Sequence, residues 1–196
     1  MITRKLFEFD EYIGETVAGV DEAGRGSLAG PVFAACVVLP EFIDGINDSK
    51  ALLPKRRELL DGQIRAKAVF VGVGTASVEE ILRLNILNAS LLAMKRAAEG
   101  AVCDLILVDG KQAFDSDKRM ECLPKGDRTS YAVAAASIVA KVARDKYMTE
   151  LDKLYPEYGF ARHKGYGTAE HYAAILRCGA SDVHRKHFLR SLQDHA

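Results

Sequence analysis

The sequence has no surplus of either charge: 27 lysines and arginines stand against 27 aspartates and glutamates. A chain-wide field that would steer polyanions is thereby excluded, and any surface for nucleic acid must be local. No two cysteines are spaced C-x-x-C. The four, Cys36, Cys103, Cys122 and Cys178, are scattered, which argues against a zinc site and suits small buried side chains. No apolar run reaches membrane-spanning length without charges, and the opening MITRKLFEFDEY lacks an apolar core of signal-peptide length. These absences predict a cytoplasmic protein with no membrane partner. Repeats, linkers and low-complexity tracts are also missing. At 196 residues and 48% hydrophobic content the chain suits a single domain with a substantial core, and no second catalytic unit.

What is present centres on residues 17–31, VAGVDEAGRGSLAGP. Strand-forming residues run into Asp21-Glu22 and then Gly24-Arg25-Gly26, which places two carboxylates and a phosphate-sized concavity at one strand end. Neighbours in a regular strand point to opposite faces, so Asp21 and Glu22 serve one site only if the strand ends or bulges there. Gly24 and Gly26 can adopt backbone angles closed to other residues and expose bare N–H groups, and Arg25 adds a forked donor suited to phosphate. Gly24-x-Gly26-x-x-Ala29 also fits the loose dinucleotide fingerprint, which needs a helix opening at the second glycine. Gly30-Pro31 would stop that helix, and the following VFAACVVL is β-branched and apolar, so a hairpin fits better.

Further along, residues 40–47 read as loop, and Asp48-Ser49-Lys50 precedes a helix over 54–67 with Leu59, Leu60 and Ile64 on one side. Residues 68–76 alternate as a third antiparallel strand. Ser77 or Thr75 then caps a long helix over 78–99, whose wide apolar face reads as core and nothing more. LILVD, 105–109, reads as a buried parallel strand with an acid at its C-terminal end, where open α/β sheets place ligands. A loop over 111–118 and a weak strand over 119–123 come next. Asp127 precedes a helix over 129–154, where an aspartate is also a common cap. Ala132, Ala134, Ala135, Ala136, Ser137 and Ala140 let that helix pack close on the sheet, and Asp145 within it reads as structural. The glycine-punctuated loop 158–168, YGFARHKGYGT, interleaves Arg162, His163 and Lys164 with tyrosines, as a nucleic-acid strand requires. Gly165 and Gly167 leave room for a nucleotide beside Tyr166. A helix over 169–177 and a second basic cluster, SDVHRKHFLR at 181–190, follow.

Taken in order, DEAGRG, Asp48-Ser49-Lys50, Leu107-Val108-Asp109-Gly110, Lys125-Gly126-Asp127, the AAASIVAKVARD run and His163-Lys164-Gly165-Tyr166-Gly167-Thr168 resemble the bacterial ribonuclease HII family, the type 2 ribonucleases H. The resemblance covers nearly the whole chain. It implies an α/β ribonuclease H-like fold: a mixed five-stranded sheet flanked by helices, with a helical C-terminal extension over about 155–196. It implies Asp21, Glu22, Asp109 and Asp127 as catalytic, metal-binding acids that seat Mg2+ or Mn2+, two ions with substrate bound. Gly24, Arg25, Gly26, Lys50 and Tyr166 would bind substrate, namely RNA/DNA hybrid or ribonucleotide-containing duplex DNA. The implied product ends are 5′-phosphate and 3′-hydroxyl, and a monomer is expected. One departure is His187, where the family usually carries a serine, and this leaves the role of the tail open. A transposase- or resolvase-type nuclease could use the same acids on DNA alone. A non-catalytic binding module is disfavoured by zero net charge and by so many strand-end acids.

Overall fold

The central strands bury both faces, and their alternating small and branched side chains dictate a sheet sandwiched between helices. The computed structural model describes residues 2–189. β1 (Val17–Ala23) and β2 (Val32–Val38) form the expected hairpin, paired antiparallel from Gly19↔Val37 to Ala23↔Phe33. β3 (Phe70–Ala76) adds to β2 antiparallel, while β4 (Leu105–Asp109) and β5 (Met120–Leu123) continue in parallel from β1. The order is β3-β2-β1-β4-β5, the mixed sheet that the sequence implies. Along β2 the period of two is visible: Ala35 and Val37 enter one core, and Val32, Ala34, Cys36 and Val38 the other.

A helix absent from the sequence reading opens the chain. α1 (Ile2–Ile13) spaces Ile2, Leu6, Phe9 and Ile13 at helical intervals, and Phe7 meets Phe42 and Tyr131 edge-on at 5.4 and 5.1 Å. α2 (Pro54–Lys67) buries Leu60 and Ile64, but Leu59 faces solvent, 52% exposed. α3 (Val78–Ala98) covers one sheet face through Ala89, Ala93, Met94 and Ala97. Its start is a capping box, with Ser77 Oγ accepting from Glu80 N and Glu80 Oε2 from Ser77 N. Asn85, at φ 66° and ψ 166°, breaks it into two pieces, so the apolar stripe is not continuous core. Leu82 is exposed, and Leu87 and Leu91 line a groove beside Asp109.

α4 (Tyr131–Leu154) covers the other face, with residues 131–140 all buried. The approach is closest at Gly19, where an added Cβ would lie 2.0 Å from the Ala132 carbonyl carbon. On the opposite face, Cβ atoms at Gly72 and Gly74 would meet the Ala97 and Ala93 carbonyl oxygens of α3 at 2.0 and 2.2 Å. The expected run of small residues on α4 is therefore matched by glycines in the sheet. Of the cysteines, Cys36 is buried as expected, Cys103 and Cys122 are half-buried, and Cys178 is exposed; all four are free thiols.

The C-terminal segment is more ordered than a loop. α5 (Phe160–His163) interrupts the stretch read as glycine-punctuated loop, and α6 (Ala169–Cys178) follows, closed by Gly179. Together with the residues beyond α6 they pack Tyr158, Phe160, Ala174 and Ile175 against Leu28, Ala29, Met148 and Leu151. His163, His171 and His184 lie buried within this unit, and their hydrogen bonds fix the tautomers. Ser181 N can only donate to His184 Nδ1 (3.0 Å), so His184 carries its proton on Nε2 and donates to His171 Nε2 (3.1 Å). His171 in turn donates from Nδ1 to Tyr166 O (3.0 Å). Every ring nitrogen of that pair is satisfied only when both rings are neutral. Arg190 of the expected basic cluster lies outside the described residues.

Two outcomes follow from this packing. Gly19→Ala should destabilise the protein by about 1–3 kcal/mol through overpacking, read as a lower urea midpoint at unchanged slope, whereas Gly26→Ala, with no atom within 4 Å of its added Cβ, should leave the midpoint nearly unmoved. Burial pushes His171 and His184 from 6.5 down to about 4. A depressed histidine contributes stability above its unfolded value that is lost as pH falls through the folded one. The urea midpoint should therefore drop between pH 6.5 and 4, and drop less steeply in His184→Gln, which removes one of the two titrating rings.

Candidate active site

Acids gather at one end of the sheet because β1, the end of β4 and the turn before α4 come together there. β1 does not end or bulge at Asp21-Glu22, contrary to expectation: its register with β2 runs evenly through Ala23↔Phe33. The pair is freed on the other side, where pairing with β4 ends at Val20↔Val108. Asp21 is buried and its Oδ1 accepts from Glu22 N (2.7 Å). Glu22 pairs with Arg25, Nη1 to Oε1 3.3 Å, while its Oε2 is buried with no hydrogen-bond partner among the described residues.

Asp109 closes β4, and its Oδ1 accepts from Gly126 N (2.7 Å), which ties it to the 3₁₀ turn Gly126–Arg128 carrying Asp127. Capping does not explain Asp127. Ser130 is the N-cap of α4, its Oγ accepting from Val133 N (3.3 Å). Asp127 is instead held buried among the other acids.

The electrostatics are those of an under-neutralised cluster. Burial, then Glu22, Asp109 and Asp127 in turn, push Asp21 well above the usual carboxylate range. Burial also raises Glu22, with Asp109 adding and Arg25 opposing, and it raises Asp127, with Asp48 and Asp109 adding. Like charges gathered out of water and left partly unpaired are what a cation would relieve. Among the described residues no three His, Cys, Asp or Glu side chains converge into a ready cage. The donor set nonetheless fits hard divalent ions: it is all carboxylate, one oxygen is orphaned, and magnesium typically takes one or two carboxylates and completes its shell with phosphate and water.

Asp21, Glu22, Gly24, Arg25, Gly26, Lys50 and Tyr166 line a single cleft of about 450 Å³. Asp109 opens instead onto an adjoining groove that shares Arg25. Gly24 has φ 95°, as expected, and its missing side chain admits Arg144, whose Nε would lie 2.0 Å from an added Cβ. Gly26 has no such backbone angle and borders open space. The glycines around Tyr166 do not leave room for a nucleotide. An added Cβ at Gly165 would lie 2.8 Å from Ala29 O, and one at Gly167 3.0 Å from the Tyr172 hydroxyl. They allow the loop to dock on the protein.

The basic residues of the 158–168 segment divide. His163 is buried with Nε2 2.8 Å from Tyr158 O, Arg162 is paired with Glu170, and Lys164 donates to Thr149 Oγ1 (2.6 Å). None of them lines the cleft. In the tail cluster His184 and Arg185 are buried, and Lys186 and His187 are exposed.

Lys141 near the cleft escaped the sequence reading, and Asp48 figured in it only as part of the Asp48-Ser49-Lys50 segment, with no role of its own. Lys141 lines the cleft from α4, its Nζ 5.5 Å from the Tyr166 ring centre and 2.6 Å from Asp145 Oδ1. Its signal was Lys141-x-x-x-Asp145, one helical turn, which gives the structural Asp145 a partner in the cleft. Asp48 is buried; Oδ1 caps the turn at Lys50 N (2.9 Å) and Oδ2 accepts from Arg128 Nη2 (2.9 Å). Although burial opposes it, the Lys50 N–H and the Arg128 guanidinium hold Asp48 below the usual range. It thus ties Lys50 to the turn bearing Asp127.

If Asp127 were a cap, its loss would cost stability; as a repelled acid, its loss should not. Ser130→Ala is expected to lower stability by about 1 kcal/mol, while Asp127→Asn should leave it unchanged or raise it. Paired urea titrations at pH 7 decide between these roles.

The ribonuclease HII family model matches residues 18–191 of this chain. Ribonuclease HII of Albidiferax ferrireducens is 56% identical over 176 residues, covering 88% of this chain and 85% of the relative. That of Caldicellulosiruptor saccharolyticus is 45% identical over 199 residues, 97% of each. The crystal structure of ribonuclease H2 from Pyrococcus horikoshii OT3 is 25% identical with a TM-score of 0.73, covering 91% of this chain and 97% of that one. The crystal structure of Bst-RNase HIII in complex with Mn2+ has the same fold, at 21% identity and a TM-score of 0.63, covering 88% and 64%.

Proposed function

Because the chain belongs to the ribonuclease HII family, and is thus a ribonuclease H, a hydrolase that cuts RNA paired with DNA, we propose that it also cleaves at single ribonucleotides embedded in duplex DNA. The products would be 5′-phosphate and 3′-hydroxyl ends, and the biological task removal of ribonucleotides from DNA. One observation carries the reading: Asp21 and Glu22, under repulsion from Asp109 and, at Asp21, from Asp127 as well, open beside Arg25, Lys50 and Tyr166 in one cleft.

In this reading Asp21, Glu22, Asp109 and Asp127 hold divalent cations, Mg2+ or Mn2+, two with substrate bound. Such ions supply a water activated for attack and stabilisation of the departing 3′ oxygen. The chain itself does the rest. Arg25 presents a forked guanidinium and Lys50 a point charge to the phosphates flanking the scissile bond. On the open side of the loop, Gly26 lets the backbone approach a phosphate without a side chain between. Tyr166 reads the sugar. Its hydroxyl can bond the 2′-oxygen, the local difference between RNA and DNA, and its ring can pack on the neighbouring sugar. The ring is steadied by Lys141 and Arg144, each about 5.5 Å or less from its centre.

No helix among the described residues is long and apolar enough to cross a membrane. Nucleic acid is the partner this reading requires, and the chain would act as a monomer in the cytoplasm.

The test is a duplex with one ribonucleotide, its all-deoxy twin and a long hybrid, incubated with magnesium, manganese or chelator. Metal-dependent cleavage of the first and third but not the second is expected, and cutting of the all-deoxy duplex would point to a DNA nuclease instead. Asp109→Asn should abolish cleavage with binding retained. At Tyr166 a graded series is expected. Tyr166→Phe loses one hydrogen bond, about tenfold in rate, and Tyr166→Ala loses packing as well and falls much further. Initial rates for the three proteins on the single-ribonucleotide duplex check this, and parental activity in Tyr166→Ala would move recognition of the 2′-hydroxyl to the 24–26 backbone.

A further inference from the structure

Two arginines lie buried behind the phosphate-facing loop with no carboxylate paired to them among the described residues. Arg144 of α4 is fully buried and Arg185 is 1% exposed, and neither forms an ion pair among the described residues. Asp145, which acts on Arg144 at longer range, is bound to Lys141. Instead, both guanidiniums grip oxygens of the loop. Arg144 donates from Nε to Pro31 O (3.2 Å), and from Nη2 to Ser27 Oγ (2.7 Å) and Ala29 O (3.1 Å). Arg185 donates from Nε to Gly30 O (2.8 Å) and from Nη1 to Arg25 O (2.9 Å), and its Nη2 is buried without a partner among the described residues.

Arg144 also reaches the other wall of the cleft. Arg144 Nη1 donates to Lys164 O (2.9 Å), and its guanidinium carbon lies 5.4 Å from the Tyr166 ring centre. Beside them the walls are laced directly: Leu28 N donates to Gly165 O, Gly30 N to Val183 O and Arg185 N to Leu28 O, each at 2.8 Å.

An unpaired buried cation is costly, and a buried guanidinium offsets that cost only by saturating itself with acceptors. Here most of the acceptors are carbonyls of residues 25–31, the segment whose start, at 24–26, must receive a phosphate. Turning them toward the arginines removes oxygens that would repel the anion and adds positive potential behind the loop. Because Arg144 holds both walls, it also fixes the space between them.

We propose that Arg144 and Arg185 are positioning residues that set the gap between the Gly24-Arg25-Gly26 loop and Tyr166, and through it the preference for a ribonucleotide at the cleft. This rests on the reading of the cleft given above. It assigns the C-terminal tail a role: Arg185 delivers one of the two cations and the strand-like bridge Ala29↔His184 seats it. Burial pushes Arg185 down to about 9, so it stays charged at pH 7. Lysine cannot replace the fork, since it carries the charge as a single point.

The experiment compares Arg185→Lys, Arg185→Gln and Ser27→Ala with the parent, each first checked for folding by circular dichroism and urea titration. Binding to single-ribonucleotide and all-deoxy duplexes is measured in chelator, and kcat and KM in magnesium. For Arg185→Lys, KM and the chelator dissociation constant for the ribonucleotide duplex should rise about tenfold or more, the loss of about one charged hydrogen bond. Binding to the all-deoxy duplex should stay unchanged and kcat within about threefold of the parent, since the acids are untouched. Ser27→Ala, which removes only the hydroxyl that Arg144 grips, should shift the same quantities less and decides the matter if the Arg185 variants do not fold. Parental KM and binding in folded variants, equal loss on both duplexes, or a fall in kcat alone would each overturn the proposal. Asp109→Asn separates the two readings: if it cuts at the parental rate, the assignment of the cleft fails, whatever the arginines do.

Discussion

The close approach of α4 to the sheet at Gly19 is the constraint on which the site depends. Only a residue without a side chain lets the Ala132 backbone come that near, and once it does, successive turns of one helix reach every part of the cleft. Ser130 starts the helix just after the Asp127 turn, and Ser137 Oγ accepts from Ser49 N beside Lys50. One turn on, Lys141 enters the cleft, Arg144 grips the glycine loop, and Met148 packs into the C-terminal cluster. A rigid rod with 1.5 Å rise per residue thus spaces groups that lie more than a hundred residues apart in sequence.

Charge is arranged in two layers around that rod. Toward the cleft stand carboxylates under mutual repulsion, held by main-chain N–H groups at Glu22 and Gly126, with Arg25 paired to Glu22 at the edge. Behind the loop stand two guanidiniums held by carbonyls rather than by carboxylates. Neither layer is neutralised within the fold, although the chain as a whole is neutral. Pairing them directly would satisfy both and leave nothing for a phosphate or a cation to complete.

Much of this was legible. The hairpin after DEAGRG, the parallel LILVD strand and the α4 helix each follow from strong local patterns, period two for strands and small residues for close helix packing. The acids at strand ends were legible as candidates for the same reason. What escaped the reading depended on partners distant in sequence. α1 has helical spacing, but its place is fixed by Phe7 against Phe42 and Tyr131 and by Asp10 Oδ2 accepting from Ala132 N (2.8 Å). His163 read as a cation for nucleic acid because its type and neighbours suited one, yet a ring stacked 4.4 Å from His171 and buried cannot serve there. Asp48 read only as part of a segment preceding a helix because Arg128, its partner, lies 80 residues away.

By itself the sequence determined the order and type of most elements and the residue types at the sheet end, because backbone preference and apolar periodicity act over a few residues. Tertiary structure decided which of those residues share a cleft. It placed Lys141 with Asp21 and Glu22, turned Asp109 toward the next groove, filled the space at Gly165 and Gly167 with protein, and took Arg185 out of a surface cluster and into the wall behind the loop. The reason is that burial and electrostatic coupling depend on separation in space, which the chain sets only when α4, the sheet and the C-terminal segment close on one another.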